Sequence, residues 1–201
     1  MTKISRRHFL AATGAITGSA LLSPLSEIKA ENIGISTPTV KKTRIALIGT
    51  GSRGIFMWGR DLVREYSNYI EFVGLCDINE GRVETGKRMI GVSCPTYTDF
   101  EKMMKETKPE VLIVTTMDST HHQFIIRGME LGANVITEKP MTIDEKKIQA
   151  ILDAEERTGK HCRVTFNYRY SPHRAKIWEL LRAGEIGDIT SVDFHWYLDT
   201  S

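Results

Sequence analysis

The sequence predicts a doubly wound α/β domain, a parallel sheet covered by helices on both faces. Three observations carry that expectation. Short runs that are apolar throughout alternate with segments of helical period. A glycine triplet spaced G-x-G-x-x-G follows the first apolar run directly, and an aspartate closes the second. A strand apolar at every position has both faces buried, which is the habit of parallel rather than antiparallel sheets.

The elements follow in order from Thr43. Arg44 to Ile48 reads as a buried strand closed by glycine, and Ser52 to Tyr66 as the helix after it. Tyr69 to Cys76 is the second strand, with a polar helix reaching Ile90. A short stretch, Thr96 to Thr98, precedes a helix near 99–106. Val111 to Val114 is a further buried strand, followed by a helix over 119–131 that Gly132 ends. Asn134 to Thr137 is the next strand. Thr142 and Glu145 have the spacing of a capping box that opens a helix to Arg157, and Cys162 to Phe166 reads as the last strand.

Beyond it the pattern changes. Pro172 to Ala183 is helical, with Ile177, Leu180 and Leu181 on one side. Residues 189–198 alternate, Val192, Phe194 and Trp196 against Asp193, His195 and Tyr197, which is the period of a half-buried strand. One strand has no stability alone, so the expected organisation is a dinucleotide-binding domain over 43–166 and the start of an incomplete α+β substrate domain over 167–201.

Composition sets the outer limits. The chain has 201 residues, 41% hydrophobic and 26% charged, which excludes collagen-like, disordered and disulfide-scaffold classes. No apolar run is long enough for a stable membrane span. The formal charge of +2 divides unevenly. In residues 1–30, four cations (Lys3, Arg6, Arg7 and Lys29) face one carboxylate, Glu27, so the remainder carries a net −1 and has no basic excess for nucleic acid. Ser5-Arg6-Arg7-His8-Phe9-Leu10, with a weakly apolar run after it, resembles the twin-arginine export signals of bacteria. The expectation is a signal peptide over 1–30, a polar linker over 31–42, passage through the twin-arginine machinery, and a periplasmic or otherwise exported protein. The three cysteines have no metal-ligand or C-x-x-C spacing, His121 and His122 are adjacent, and no metal is expected.

The chemistry-bearing residues gather at strand ends. Gly49, Gly51 and Gly54, with Ser52 and Arg53 between them, let the backbone turn and approach a pyrophosphate at a helix N-terminus. Asp77 can accept hydrogen bonds from both ribose hydroxyls and repels a 2′-phosphate, so NAD is favoured over NADP, although Arg82 stands near enough to matter. Asp77 can equally be the cap of the next helix, and S-adenosylmethionine enzymes share both features. Thr137-Glu138-Lys139-Pro140 closes the fifth strand, where Lys139 is either a group that polarises a substrate oxygen or a solvated surface lysine.

Taken with Asp118-x-x-His121 and Asn167-Tyr168-Arg169-Tyr170-x-Pro172, these motifs resemble the Gfo/Idh/MocA oxidoreductases over residues 43–201. The resemblance implies a Rossmann domain joined to a larger antiparallel α/β domain that forms the substrate site and a homo-oligomer interface. It implies hydride transfer between a sugar or cyclitol hydroxyl and NAD(P), with Lys139 catalytic. Gly49, Gly51, Ser52, Arg53 and Gly54 would hold the pyrophosphate, and Asp77 the adenosine ribose. His121 would line the groove, Glu138 and Lys139 would face the nicotinamide ribose and substrate, and Asn167 and Arg169 would lie beside the nicotinamide. Met117 departs from the proline usual in that loop, and the resemblance implies that the general base is to be expected beyond Ser201. Two other functions stay open. One is a glycoside hydrolase of the same fold that oxidises its sugar transiently on bound NAD; the other is a product that only binds nucleotide.

Overall fold

The computed structural model describes residues 41–195 and Tyr197; the signal peptide and nearly all of the linker expected at the N-terminus lie outside the described residues. Six strands, all parallel, form one sheet: β1 (Thr43–Ile48), β2 (Ile70–Cys76), β3 (Thr96–Tyr97), β4 (Val111–Val114), β5 (Asn134–Thr137) and β6 (Cys162–Val164). Their order across the sheet is β3-β2-β1-β4-β5-β6. The chain runs one way from β1 and then returns past it to β4, so the loops after β1 and β4 diverge and leave a crevice at their carboxyl ends.

The helices divide between the two faces. The first, α1, follows the glycine turn in two segments, Arg53–Arg60 and Asp61–Tyr66. It packs with α2 (Glu80–Ile90) over Leu47, Leu75 and Ile113. On the other face α3 (Phe100–Thr107), α4 (His121–Glu130, after a 3₁₀ turn at Asp118–Thr120) and α5 (Glu145–Thr158) cover Ala46, Leu112, Val114 and Val135. Leu47, Leu75, Leu112 and Ile113 are fully buried. Each contributes roughly 1.5–3 kcal/mol relative to exposure, which is why these strands are apolar on both sides.

Local chemistry sets the helix ends. Asn79 and Asp99 cap α2 and α3 by accepting the backbone N–H groups of Arg82 and Lys102. The α5 cap differs from the capping box read in the sequence: Asp144 accepts from Lys147 N at 3.0 Å, and the buried Thr142 hydroxyl makes no hydrogen bond. Asp144 has the extended backbone a cap requires and sits one residue before the helix, so it takes the position first.

Two other expectations change. The segment Arg53–Arg60 is wound as a π-helix, with Asp61 N donating to Phe56 O five residues back. The alternating residues 189–195 are not a strand, and Val192, Phe194 and Tyr197 are exposed. The alternation marks one apolar face, but a strand also needs a hydrogen-bonding neighbour, and none of the described residues supplies one. The helix α6 (Pro172–Arg182) forms as expected, with Ile177, Trp178 and Leu180 exposed.

Candidate functional site

The β1 turn is shaped by what glycine lacks. Gly49 has φ +93°, and a Cβ there would lie 2.6 Å from the Thr115 carbonyl. A Cβ on Gly54 would stand 2.1 Å from Gly49 O. These two positions bring β1, β4 and the start of α1 into backbone contact, which the Thr115 hydroxyl reinforces by donating to Gly49 O at 2.6 Å. Gly51 is different: its missing Cβ faces open space, with nothing within 4 Å. The first and third glycines therefore serve packing, while the second leaves a bare backbone facing the crevice where a pyrophosphate would approach. Ser52 makes no side-chain cap bond to the helix behind it.

The crevice is a cleft of about 370 Å³ whose lining includes Gly49, Gly51, Asp77, Arg82, Thr116 and Met117. Asp77 ends β2 at 6% exposure. Its Oδ2 accepts the Thr50 N–H at 2.8 Å and the Thr50 hydroxyl at 3.1 Å, and its Oδ1 accepts Asn79 N at 3.0 Å. Three of a carboxylate's roughly four acceptor positions are thus filled by the chain itself. That leaves one for a ribose hydroxyl, where the sequence allowed two. Asp77 is also not the helix cap, a role Asn79 fills. Arg82 stands 3.7 Å from Asp77 Oδ1.

At the end of β5, Glu138 and Lys139 part company. Glu138 is 6% exposed; its Oε1 accepts Trp58 Nε1–H at 2.8 Å and its Oε2 pairs with Arg53 Nε at 3.2 Å. Lys139 is exposed, has no ion-pair partner among the described residues, and its peptide bond to Pro140 is cis. Arg53, expected at the pyrophosphate, directs its Nε to Glu138 instead. Glu138, expected to face the nicotinamide ribose, is turned inward.

His121 is a correction as well. It is fully buried and does not line the cleft. Its Nδ1 lies 2.9 Å from Pro140 O and its Nε2 3.0 Å from Thr116 O, so it ties the loop after β4 to the loop after β5. Asn167 and Arg169 line a second cleft, of about 720 Å³, with Met57, Trp58 and Phe166. The structure does not bring them together with Gly49 and Asp77. Cys76 borders the first cleft, but burial first and the Asp77 charge second push its thiol up to about 12, which disfavours the nucleophilic thiolate. Thr50 and Trp58 are the residues that sequence reasoning passed over. Thr50 is a variable position of the glycine motif, and Trp58 meets a partner 80 residues away, a pairing that no local pattern signals.

The geometry fits a dinucleotide: a bare backbone at Gly51, a helix N-terminus behind it, and a buried carboxylate at the next strand end. Comparison with known proteins agrees. Residues 43–166 match GFO_IDH_MocA, the oxidoreductase family with an NAD-binding Rossmann fold. YteT of Bacillus subtilis (strain 168) is 36% identical over 160 residues, 78% of this chain and 37% of its own length. Glycosyl hydrolase family 109 protein 1 of Akkermansia muciniphila is 32% identical over 164 residues, 78% of this chain and 34% of its own. The crystal structure of myo-inositol 2-dehydrogenase from Lactobacillus plantarum superposes with a TM-score of 0.67 at 25% identity, over 74% of this chain and 43% of that one. The chain thus spans less than half the length of these relatives. It belongs to the Gfo/Idh/MocA oxidoreductases and carries their NAD-binding Rossmann fold.

Proposed function

We propose that this chain is the cofactor-binding part of an exported NAD-dependent oxidoreductase acting on a sugar or cyclitol hydroxyl. The observation that carries the reading is Lys139, an exposed lysine with no ion-pair partner among the described residues, at the carboxyl end of β5 and on the same sheet edge as the Gly49–Gly54 turn. Bound NAD would supply the hydride acceptor. Gly51 and Ser52 would hold its pyrophosphate in the turn that Gly49 and Gly54 shape, and Asp77 would take one adenosine ribose hydroxyl. Lys139 would donate a hydrogen bond to the substrate oxygen and stabilise the negative charge that grows as its proton leaves. The substrate carbon loses its hydride and becomes a carbonyl carbon, and the hydroxyl proton passes to a base. By the family resemblance, that base lies in the substrate domain. The inositol dehydrogenases among the relatives support a cyclitol or sugar substrate.

A second reading has its own support, because the 32% identity to a glycosyl hydrolase exceeds that to the inositol 2-dehydrogenase of Salmonella typhimurium, 27%. One experiment separates the two. The full-length protein is incubated with NAD and myo-inositol or free hexoses, and in parallel with nitrophenyl glycosides. Accumulating NADH supports the oxidoreductase. Nitrophenol released without NADH supports the hydrolase, and neither signal overturns both. Export rests on Arg6-Arg7. Replacing both with lysine should hold the protein in the cytosol, and unchanged fractionation rejects the signal.

A further inference from the structure

The Glu138 carboxylate is a buried group on the residue that precedes the lysine assigned to the substrate oxygen. Freed of other partners, a carboxylate on the neighbouring residue can pair with Lys139, and a lysine held in an ion pair has its protons and its charge already engaged. The structure supplies those other partners, and both come from one helix. Trp58 Nε1 donates to Oε1 at 2.8 Å and Arg53 Nε pairs with Oε2 at 3.2 Å.

The winding of α1 is what brings the pair together. Residues 53 and 58 are five apart. At 3.6 residues per turn they would diverge by about 140° around the helix, and only one would face Glu138. In a segment with i→i+5 bonds, residue i+5 sits nearly above residue i. Asp61 N bonded to Phe56 O shows that spacing within Arg53–Arg60. The wide turn therefore places an indole N–H and a guanidinium on one side, as a fork around a single carboxylate. Trp58 is part-buried here, and its N–H has a use only because Glu138 accepts it.

We propose that Trp58, with Arg53, is a positioning residue that sequesters the Glu138 carboxylate so that Lys139 stays unpaired and available to the reacting oxygen. The inference rests on the role given to Lys139 above. It extends that reading to a device in the first helix that keeps two adjacent, opposite charges apart.

The test reads the Lys139 amine directly, with no turnover involved. The full chain is treated at fixed pH with an amine-directed acetylating reagent, and the rate at Lys139 is followed by peptide mass spectrometry. Trp58→Phe removes the indole donor and keeps an aromatic ring. The released carboxylate then engages the ammonium, and labelling of Lys139 slows about two- to fivefold, the population shift an exposed ion pair produces. Adding Glu138→Gln removes the competing charge, so the W58F/E138Q double variant returns to the wild-type rate. A merely structural tryptophan would not give that rescue. An unchanged rate in W58F, or slowing that persists in the double variant, overturns the proposal. If W58F loses its melting transition, Arg53→Met withdraws the other partner and is judged by the same two rates. Lys139→Ala retaining wild-type turnover in the full-length enzyme overturns the parent reading, and with it the use assigned to the free amine. Unchanged W58F labelling with an inactive Lys139→Ala sinks this inference alone.

Discussion

Thr50 donates twice to Asp77, through its backbone N–H at 2.8 Å and its hydroxyl at 3.1 Å, and so locks the glycine turn to the end of β2. The carboxylate that marks the ribose site is thus also a clasp on the pyrophosphate site. Asp77→Ala should weaken NAD far more than NADP, because it removes both a hydroxyl acceptor and the repulsion of a 2′-phosphate. Thr50→Val removes only the hydroxyl donor; it should cost about 1 kcal/mol of stability and leave the NAD/NADP ratio unchanged. Parallel titrations with the two reduced cofactors, read by nicotinamide fluorescence, check both outcomes. Equal loss of NAD and NADP in Asp77→Ala would show that the clasp dominates and that Asp77 does not select the cofactor.

Gly49→Ala tests the packing half of the turn. The added methyl would meet the Thr115 carbonyl at 2.6 Å in a backbone held at φ +93°. Strain of this kind costs on the order of 1–3 kcal/mol, and the loops after β1 and β4 must move apart to relieve it. The expected result is a lowered melting temperature together with loss of NADH binding. Gly51→Ala, facing open space, should keep the wild-type melting temperature and lose only affinity. If both variants behave alike, the division of labour among the glycines is wrong.

Lys139→Ala separates binding from chemistry. Its exposed side chain makes no ion pair among the described residues, so truncation should leave folding and NAD affinity nearly intact. Turnover in the full-length enzyme should fall by roughly 10²–10³, the usual contribution of a donor that stabilises charge on the reacting oxygen. Steady-state kinetics beside a binding titration decide the matter, and unaltered turnover would return Lys139 to the surface lysines.

Stability should depend on pH through His122. Burial, and then the Lys147 charge, hold its imidazole below the ordinary 6.5. The folded state thus binds that proton less readily than the unfolded chain does. The resulting stability is fully present above the unfolded value and declines as pH falls through it toward the folded one. Melting temperatures between about pH 7.5 and 5 should fall in the wild type and flatten in His122→Gln. Superimposable curves would assign the loss to other groups.

The three thiols should be inert. Burial pushes Cys76 and Cys162 up to about 12 and Cys94 to about 11. At pH 8 the thiolate is then a minor species, and iodoacetamide should modify the native chain far more slowly than the urea-unfolded one. Rapid alkylation of native Cys76, detected by peptide mapping, would show that its strand end opens to solvent.

Much of the fold was legible because its signals are local. An apolar run such as Val111–Val114 admits few places other than a covered strand, and Gly49 and Gly54 stand where no side chain fits. The comparisons bear out the fold class, the family and the NAD-binding assignment. What stayed hidden was non-local. Glu138 and Trp58 are 80 residues apart, and no periodicity reports an indole reaching a carboxylate. His121 read as a groove residue because it opens a helix at a strand end, yet its neighbours are two carbonyl oxygens from different loops. The alternation at 189–195 describes a face and says nothing about a hydrogen-bonding neighbour.

The π-wound segment also makes the first helix tolerant of a change in length. A helix bonded five residues apart holds one residue more per turn than an α-helix needs, so this stretch can lose a residue and still join Gly54 to Asp61. Deleting Phe56 or Met57 would relax the winding and shorten the helix by one position. The indole would then stand four residues from Arg53, about 40° around an α-helix, still on the side that faces Glu138. Natural variants of this fold that are one residue shorter here can therefore keep both the tryptophan and the acid before the lysine. A length polymorphism in the first helix and a substitution 80 residues downstream would then be inherited independently.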